Sequence, residues 1–249
     1  RAARGNISGW SDSSKSLLEN LPATEFLGYT NVTCNGKVLS IFVDNEAVES
    51  VSEGECTIVT DKTTFYGEGG GQVGDTGVIT LGDTTLTVLD TKKTNGIYLH
   101  QCQVENGSVK LGDTVELSVD ASRRDAIKRN HSAAHLLQAA LRQVLGTHVE
   151  QAGSYVDEHR VRFDFSHLAA MTKEEIEAML KNPQIRGFKC YHQSAKTNGP
   201  TWLAEVGQYL PETAWQVANE RGMSITIHMV RPDALSDEKN MAYFKEMCA

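Results

Sequence analysis

Residues 114–146 read TVELSVDASRRDAIKRNHSAAHLLQAALRQVLG, and the organisation of the chain turns inside this stretch. Up to Val119 the pattern alternates, with Val115, Leu117 and Val119 set against Glu116 and Ser118, which is the period of a strand with one buried face. From Asp120 the period changes. Ala126, Ile127, Ala134, Leu137, Leu141, Val144 and Leu145 recur at helical spacing until Gly146 ends the run. Asp120 or Ser122 is placed to cap that helix, because a short side-chain oxygen there accepts an N–H of the first turn.

Working back from this point, short alternating segments cover residues 38–43, 56–59, 77–79, 85–89, 97–100 and 114–119. Turn pairs separate them: Asn35-Gly36, Asp44-Asn45, Gly82-Asp83, Asn95-Gly96, Asn106-Gly107 and Gly112-Asp113. That regular spacing predicts a small antiparallel β-barrel over residues 24–119. Residues 1–23, around Trp10 and Leu17-Leu18, read as a linker or helical tail. Working forward, residues 160–165 look like a strand, Thr172 with Glu175 opens a helix by the capping-box pattern, residues 212–221 read as helical and residues 224–230 as a strand. The fold class is therefore α+β, an antiparallel barrel followed by an α+β two-layer domain over 120–249, in which 181–249 is the least regular part.

Composition narrows the function classes. The chain has 249 residues, 40% hydrophobic and 22% charged, the balance of a folded globular protein. No apolar run approaches the roughly 20 residues needed to span a bilayer, and residues 1–9 lack the basic-then-apolar pattern of a signal peptide, so a cytoplasmic protein with no membrane partner is expected. The chain opens on Arg1, as a piece of something longer would. Five scattered cysteines (Cys34, Cys56, Cys102, Cys190 and Cys248) without CxxC spacing suggest neither a disulfide framework nor a ribbon-type metal site. A net charge of -8 argues against a general nucleic-acid coat and limits any such contact to a local patch. The clearest patch is Arg123, Arg124, Lys128 and Arg129, although a solvated helical face would look the same.

Two segments carry chemistry. In Asn130-His131-Ser132-Ala133-Ala134-His135, two imidazoles at i and i+4 stand on one face of a helix, about 6 Å apart at their β carbons, which suits one zinc ion. Two surface or core histidines would give the same spacing. No Glu follows the first His, which disfavours a metalloprotease. The second segment, Phe65-Tyr66-Gly67-Glu68-Gly69-Gly70-Gly71-Gln72-Val73-Gly74-Asp75, lets backbone approach a ligand closely, and Gln72 offers both a donor and an acceptor. A glycine-rich hairpin is the plainer alternative, and the absence of Gly-Lys-Ser/Thr excludes a P-loop.

The order of these segments, from Thr24-Glu25-Phe26-Leu27-Gly28-Tyr29 through the glycine-rich stretch to Arg129-Asn130-His131, Gln151-Ala152-Gly153-Ser154 and Arg162-Phe163-Asp164-Phe165-Ser166-His167, closely resembles the editing region of alanyl-tRNA synthetases and their free-standing relatives. The likeness covers roughly residues 1–180. It implies hydrolysis of a wrong amino acid, serine or glycine, from alanine-specific tRNA at a zinc site, as a fragment or relative of the ligase. It further implies that His131 and His135 are zinc ligands, that Gln72 works in the catalytic pocket as a hydroxyl reader, that Gly70, Gly71, Gln151, Gly153 and Ser154 line the substrate site, and that Arg123, Arg124, Lys128 and Arg129 contact tRNA. The family's second ligand pair, a Cys-x-x-x-His in a Cys-Gly-Gly-Thr-His context, has no counterpart here, and only Cys190, His192, His228 and Cys248 follow residue 181. A tRNA-binding module that has lost its zinc site, without catalysis, is therefore the alternative.

Overall fold

The computed structural model describes residues 12–166, 172–179, 181, 187–191, 204–210, 212–228 and 237–247. The chain divides into two compact units. Unit 1 comprises residues 1–134 and 154–162, and unit 2 comprises residues 135–153 and 163–249.

Unit 1 begins with α1 (Asp12–Asn20), followed by β1 (Glu25–Phe26), β2 (Thr33–Val43), β3 (Glu46–Val48), β4 (Ser50–Val51), β5 (Glu55–Thr60), β6 (Lys62–Thr63), β7 (Gly77–Leu81), β8 (Thr84–Thr94), β9 (Ile97–Asn106), β10 (Val109–Lys110) and β11 (Thr114–Val119). Strands pair in the order β11-β7-β8-β9-β5-β2, and β2 pairs again with β11, so six antiparallel strands close into a barrel. Closure removes the exposed sheet edges that an open meander of this length would carry. Inward strand residues, among them Ile41, Ile58, Ile79, Leu86 and Leu117, are buried in one cluster with Phe65 from the loop after β6.

The turn pairs Asp44-Asn45 and Asn95-Gly96 lie where expected, each with both residues at positive φ, as tight hairpins need. Asn35-Gly36, expected as a turn, instead lies inside β2. The physical reason is closure: a β carbon on Gly36 would stand 2.8 Å from the Lys62 carbonyl oxygen and 2.9 Å from Leu117, so the glycine marks a close approach of strands where β2 meets β11. The tail helix α1 is not a free linker in its described part. Its Leu18 is buried with Phe42, Val59, Ile97 and Leu99.

After β11 comes α2 (Ala121–Leu145), which Asp120 caps by accepting the Arg123 N–H at 2.9 Å. The strands β12 (Gln151–Val156) and β13 (Val161–Phe165) then pair as a two-stranded sheet. Unit 1 takes the first half of α2 together with residues 154–162, packed through Ile127, Ala134 and Val156.

Unit 2 adds α3 (Lys173–Met179), β14 (Gly187–Tyr191), α4 (Glu212–Arg221), β15 (Ser224–His228) and α5 (Glu238–Met247). The expected capping box is present: the Glu175 N–H donates to Thr172 Oγ1 at 3.2 Å and the Thr172 N–H to Glu175 Oε2 at 2.7 Å. β14 and β15 run parallel, with α4 between them in sequence, and a core of Ile176, Val206, Leu210, Ala214 and Val217 belongs to this unit alone. Barrel and helices together make an α+β chain. Among the described residues no helix is long and apolar enough to cross a membrane.

Candidate functional site

The glycine-rich stretch is a closed loop whose two ends are tied to each other. The Tyr66 N–H donates to Asp75 Oδ2 at 2.6 Å, and the Asp75 N–H returns to the Tyr66 carbonyl at 2.9 Å. At its tip Gly69 and Gln72 exchange backbone hydrogen bonds at 3.0 and 3.1 Å, a tight hairpin. This tip is clamped to the end of β12, because Val156 N–H donates to the Gly71 carbonyl at 2.7 Å and Val73 N–H to the Val156 carbonyl at 3.1 Å. Ser154 Oγ adds a bond to the Gly70 carbonyl at 3.2 Å. Gly71 sits at φ +83, and a β carbon there would lie 2.3 Å from Ser154 Oγ. Only glycine tolerates that approach in that conformation.

The hairpin carries Gln72, 7% exposed, to α2, where its Oε1 accepts from His131 Nδ1 at 2.6 Å. His131 reaches this position because it shares a helix face with Ile127 and Ala134, which are buried against Val73, Val156 and Val161. The preceding residue, Asn130, donates from Nδ2 to the Asp157 carbonyl at 2.7 Å, fixing α2 against the turn that follows β12. The structure thus brings Gly70, Gly71, Gln72, Ser154 and His131 together within unit 1. His135, four residues further along α2 and exposed, falls in unit 2, as do Gln151 and Gly153. A β carbon on Gly153 would come within 3.0 Å of Asp164 Oδ2, which explains the glycine there by close packing within that unit.

The basic cluster separates into two kinds of residue. Arg124 is buried: its Nε donates to both Asp75 carboxylate oxygens at 2.8 and 2.9 Å, Nη1 to the Gly28 carbonyl at 2.9 Å, and Nη2 to the Thr64 carbonyl at 2.7 Å and to Asp75. The expected phosphate contact does not suit a guanidinium so occupied. Its role is to tie α2 to the glycine-rich loop. Sequence reading missed this pair, although an Asp closing a glycine-rich loop is a group that must find a partner once buried. Arg123 is half-buried, bonded to the Gly74 carbonyl at 2.9 Å and paired with Glu158 at 3.0 Å. Lys128 and Arg129 are exposed.

Among the described residues no group of three or more His, Cys, Asp or Glu side chains is assembled to hold a metal. Of the later candidates, His192 and Cys248 lie outside the described residues, and so do the side chains of Cys190 and His228.

Residues 2–123 match the family described as tRNA synthetases class II (A). The chain is 48% identical over 184 residues to an alanine–tRNA ligase of Sinorhizobium medicae, covering 71% of this chain and 21% of that protein. It is 47% identical over 174 residues to that of Acetivibrio thermocellus, covering 69% and 20%, and 53% identical over 157 residues to that of Rhizobium meliloti, covering 62% and 18%. The chain spans about a fifth of the length of these relatives. Sequence matches of this identity over more than half the chain show that it carries an alanyl-tRNA synthetase-related region.

Proposed function

We propose that this chain is an aminoacyl-tRNA editing module, which hydrolyses serine or glycine from mischarged alanine tRNA and acts in the cytoplasm as a fragment or relative of alanine–tRNA ligase. The observation that carries the reading is the hydrogen bond between Gln72 and His131, which joins the glycine-rich loop to the HxxxH helix. The donor chemistry fits zinc in part. An amide oxygen only accepts, so His131 Nδ1 carries the proton and a neutral ring keeps its lone pair on Nε2, the atom that binds metal. His131 and His135 on α2 would hold the ion with further ligands from later in the chain. When bound, zinc would polarise the ester carbonyl and lower the pKa of water.

The remaining work falls to the protein. The reaction cleaves the ester between the amino acid and the terminal ribose, with water adding to the carbonyl carbon and the ribose oxygen leaving with a proton. The Gly70-Gly71 backbone, with Ser154, would line the pocket for the aminoacyl end. The amide nitrogen of Gln72 supplies donors that would read the hydroxyl of a seryl group. Such a second sieve is needed because one hydroxyl changes binding by only about 1–3 kcal/mol in a synthetic pocket. Lys128 and Arg129, with Arg123, would meet the tRNA backbone.

Deacylation of serine-charged alanine tRNA, measured with and without chelator, tests the reading. Chelator-sensitive release of serine is the expected outcome. The competing reading, a tRNA-binding module without catalysis, draws on the absence of a Cys-x-x-x-His motif. It predicts tRNA binding with no release of serine, and folded protein without stoichiometric zinc. Zinc that is present and disappears in His131→Ala supports the hydrolase.

A further inference from the structure

We infer that Gln72 is a positioning residue for His131: through its amide oxygen it fixes the ring in the Nδ1–H tautomer and in one orientation, so that Nε2 is presented as the ligand atom. The inference rests on the editing reading for its purpose, though the tautomer itself does not depend on it. An imidazole on a helix surface turns about its terminal torsion and, in water, favours the Nε2–H form. Here Nδ1 stands 2.6 Å from an atom that can only accept. That acceptor is itself fixed. Gln72 is buried, its backbone is bonded to Gly69 in both directions, and its neighbours Gly71 and Val73 are bonded to Val156. The His side of the bond is equally constrained, since Ile127 and Ala134 on the same helix face are buried.

Gly71 therefore has a purpose beyond making room for a ligand. It lets the hairpin sit against Ser154 closely enough to deliver a rigid amide oxygen to α2. A second partner of this kind generally raises the basicity of a metal-binding imidazole and holds its ring in register with the ion. One side chain would then serve both halves of the site, its oxygen orienting the histidine and its nitrogen facing the substrate.

The test compares the full chain with Gln72→Met, which keeps the volume and removes the amide acceptor, and Gln72→Glu, which keeps an acceptor. Ring nitrogen correlation spectra, taken on chelator-treated protein at a pH where the ring is neutral, report the tautomer of His131. Zinc affinity is read by competition with a chromophoric chelator, and circular dichroism confirms folding. Expected are an Nδ1–H ring in the native chain and in Gln72→Glu, a shift to the Nε2–H form in Gln72→Met, and roughly 10- to 100-fold weaker zinc binding in Gln72→Met alone. An Nε2–H ring in the native chain, or an unchanged Nδ1–H ring in Gln72→Met, overturns the inference. If the native chain holds the Nδ1–H tautomer through Gln72 and binds no zinc, the positioning role stands and the metal-dependent reading fails.

Discussion

Around Ile58 the chain is held by apolar burial and strand register, whereas around Asp75 it is held by hydrogen bonds and one buried ion pair. The barrel interior is filled by inward-facing aliphatic residues and Phe65, each replaceable by a similar volume at modest cost. The loop and helix region has a small apolar cluster of Ile127, Ala134 and Val156, and its geometry comes from the Asp75–Arg124, Gln72–His131 and Asn130–Asp157 contacts. Apolar packing tolerates sliding; directional polar contacts do not. A site that must hold one ring in one orientation is built from the second kind.

The largest expected effect follows from that contrast. Asp75→Ala would leave the Arg124 guanidinium buried without its counter-charge and should destabilise the chain by about 3–5 kcal/mol in urea unfolding. Ile58→Val in the barrel should cost about 0.5–1.5 kcal/mol. Replacing both charged residues by apolar ones would not restore stability here, because Arg124 and Asp75 also satisfy the Gly28 and Thr64 carbonyls and the Tyr66 N–H. A larger loss for Ile58→Val than for Asp75→Ala would show that the barrel packing, not the buried ion pair, is the less tolerant of change.

The barrel also buries an ionisable ring, and pH exposes it. His100 is fully buried between the Ile58 carbonyl, at 2.9 Å from Nδ1, and Thr63 Oγ1, at 2.8 Å from Nε2. Burial lowers its pKa from the ordinary 6.5 to about 4, only partly offset by the bond to Ile58. The folded value lies below the unfolded one, so the unfolded chain takes up the proton first as pH falls. Its contribution is therefore intact above about pH 6.5 and is lost progressively as pH falls through about 4, roughly 3 kcal/mol in all. Urea midpoints between pH 7 and 4.5 should fall more steeply for the native chain than for His100→Gln. Parallel curves would show that the ring is not held neutral.

Legibility in the sequence follows the same division. The barrel strands were readable because a period of two survives wherever one face is buried, and β11 occupies residues 114–119 as the alternation predicts. The helix α2 was readable from its stripe and from Asp120 and Gly146 at its ends. Long-range polar pairing leaves no periodic trace. Arg124 and Asp75 are 49 positions apart and Gln72 and His131 are 59 apart, so a buried arginine reads like an exposed one until the fold joins them. The parallel pairing of β14 with β15 was hidden for a related reason, since two short segments joined by a long crossover carry no turn signal.

A smaller effect is expected for Gly71→Ala. Backbone at φ +83 and a β carbon 2.3 Å from Ser154 Oγ should cost about 1–3 kcal/mol, less than losing Asp75. The loss should appear together with a loosened His131 ring in nitrogen spectra, because the hairpin that carries Gln72 would have to move from Val156. A destabilised Gly71→Ala chain with an undisturbed His131 ring would separate the hairpin's packing from its positioning of the histidine.

The smallest effect belongs to an exposed ion pair of simpler geometry. Lys62 Nζ and Glu25 Oε2 lie 3.2 Å apart where β1 pairs with β6, with side chains 46% and 59% exposed. Water screens both charges and solvates either one when the other is removed, so Glu25→Gln should change stability by less than about 1 kcal/mol. Asp75 and Arg124 differ from them in being buried, with no water to fall back on, and in a multidentate geometry with further backbone partners. If Glu25→Gln proved as costly as Asp75→Ala, burial would not be what separates the two regions, and the rigidity assigned to the loop and helix would need another source.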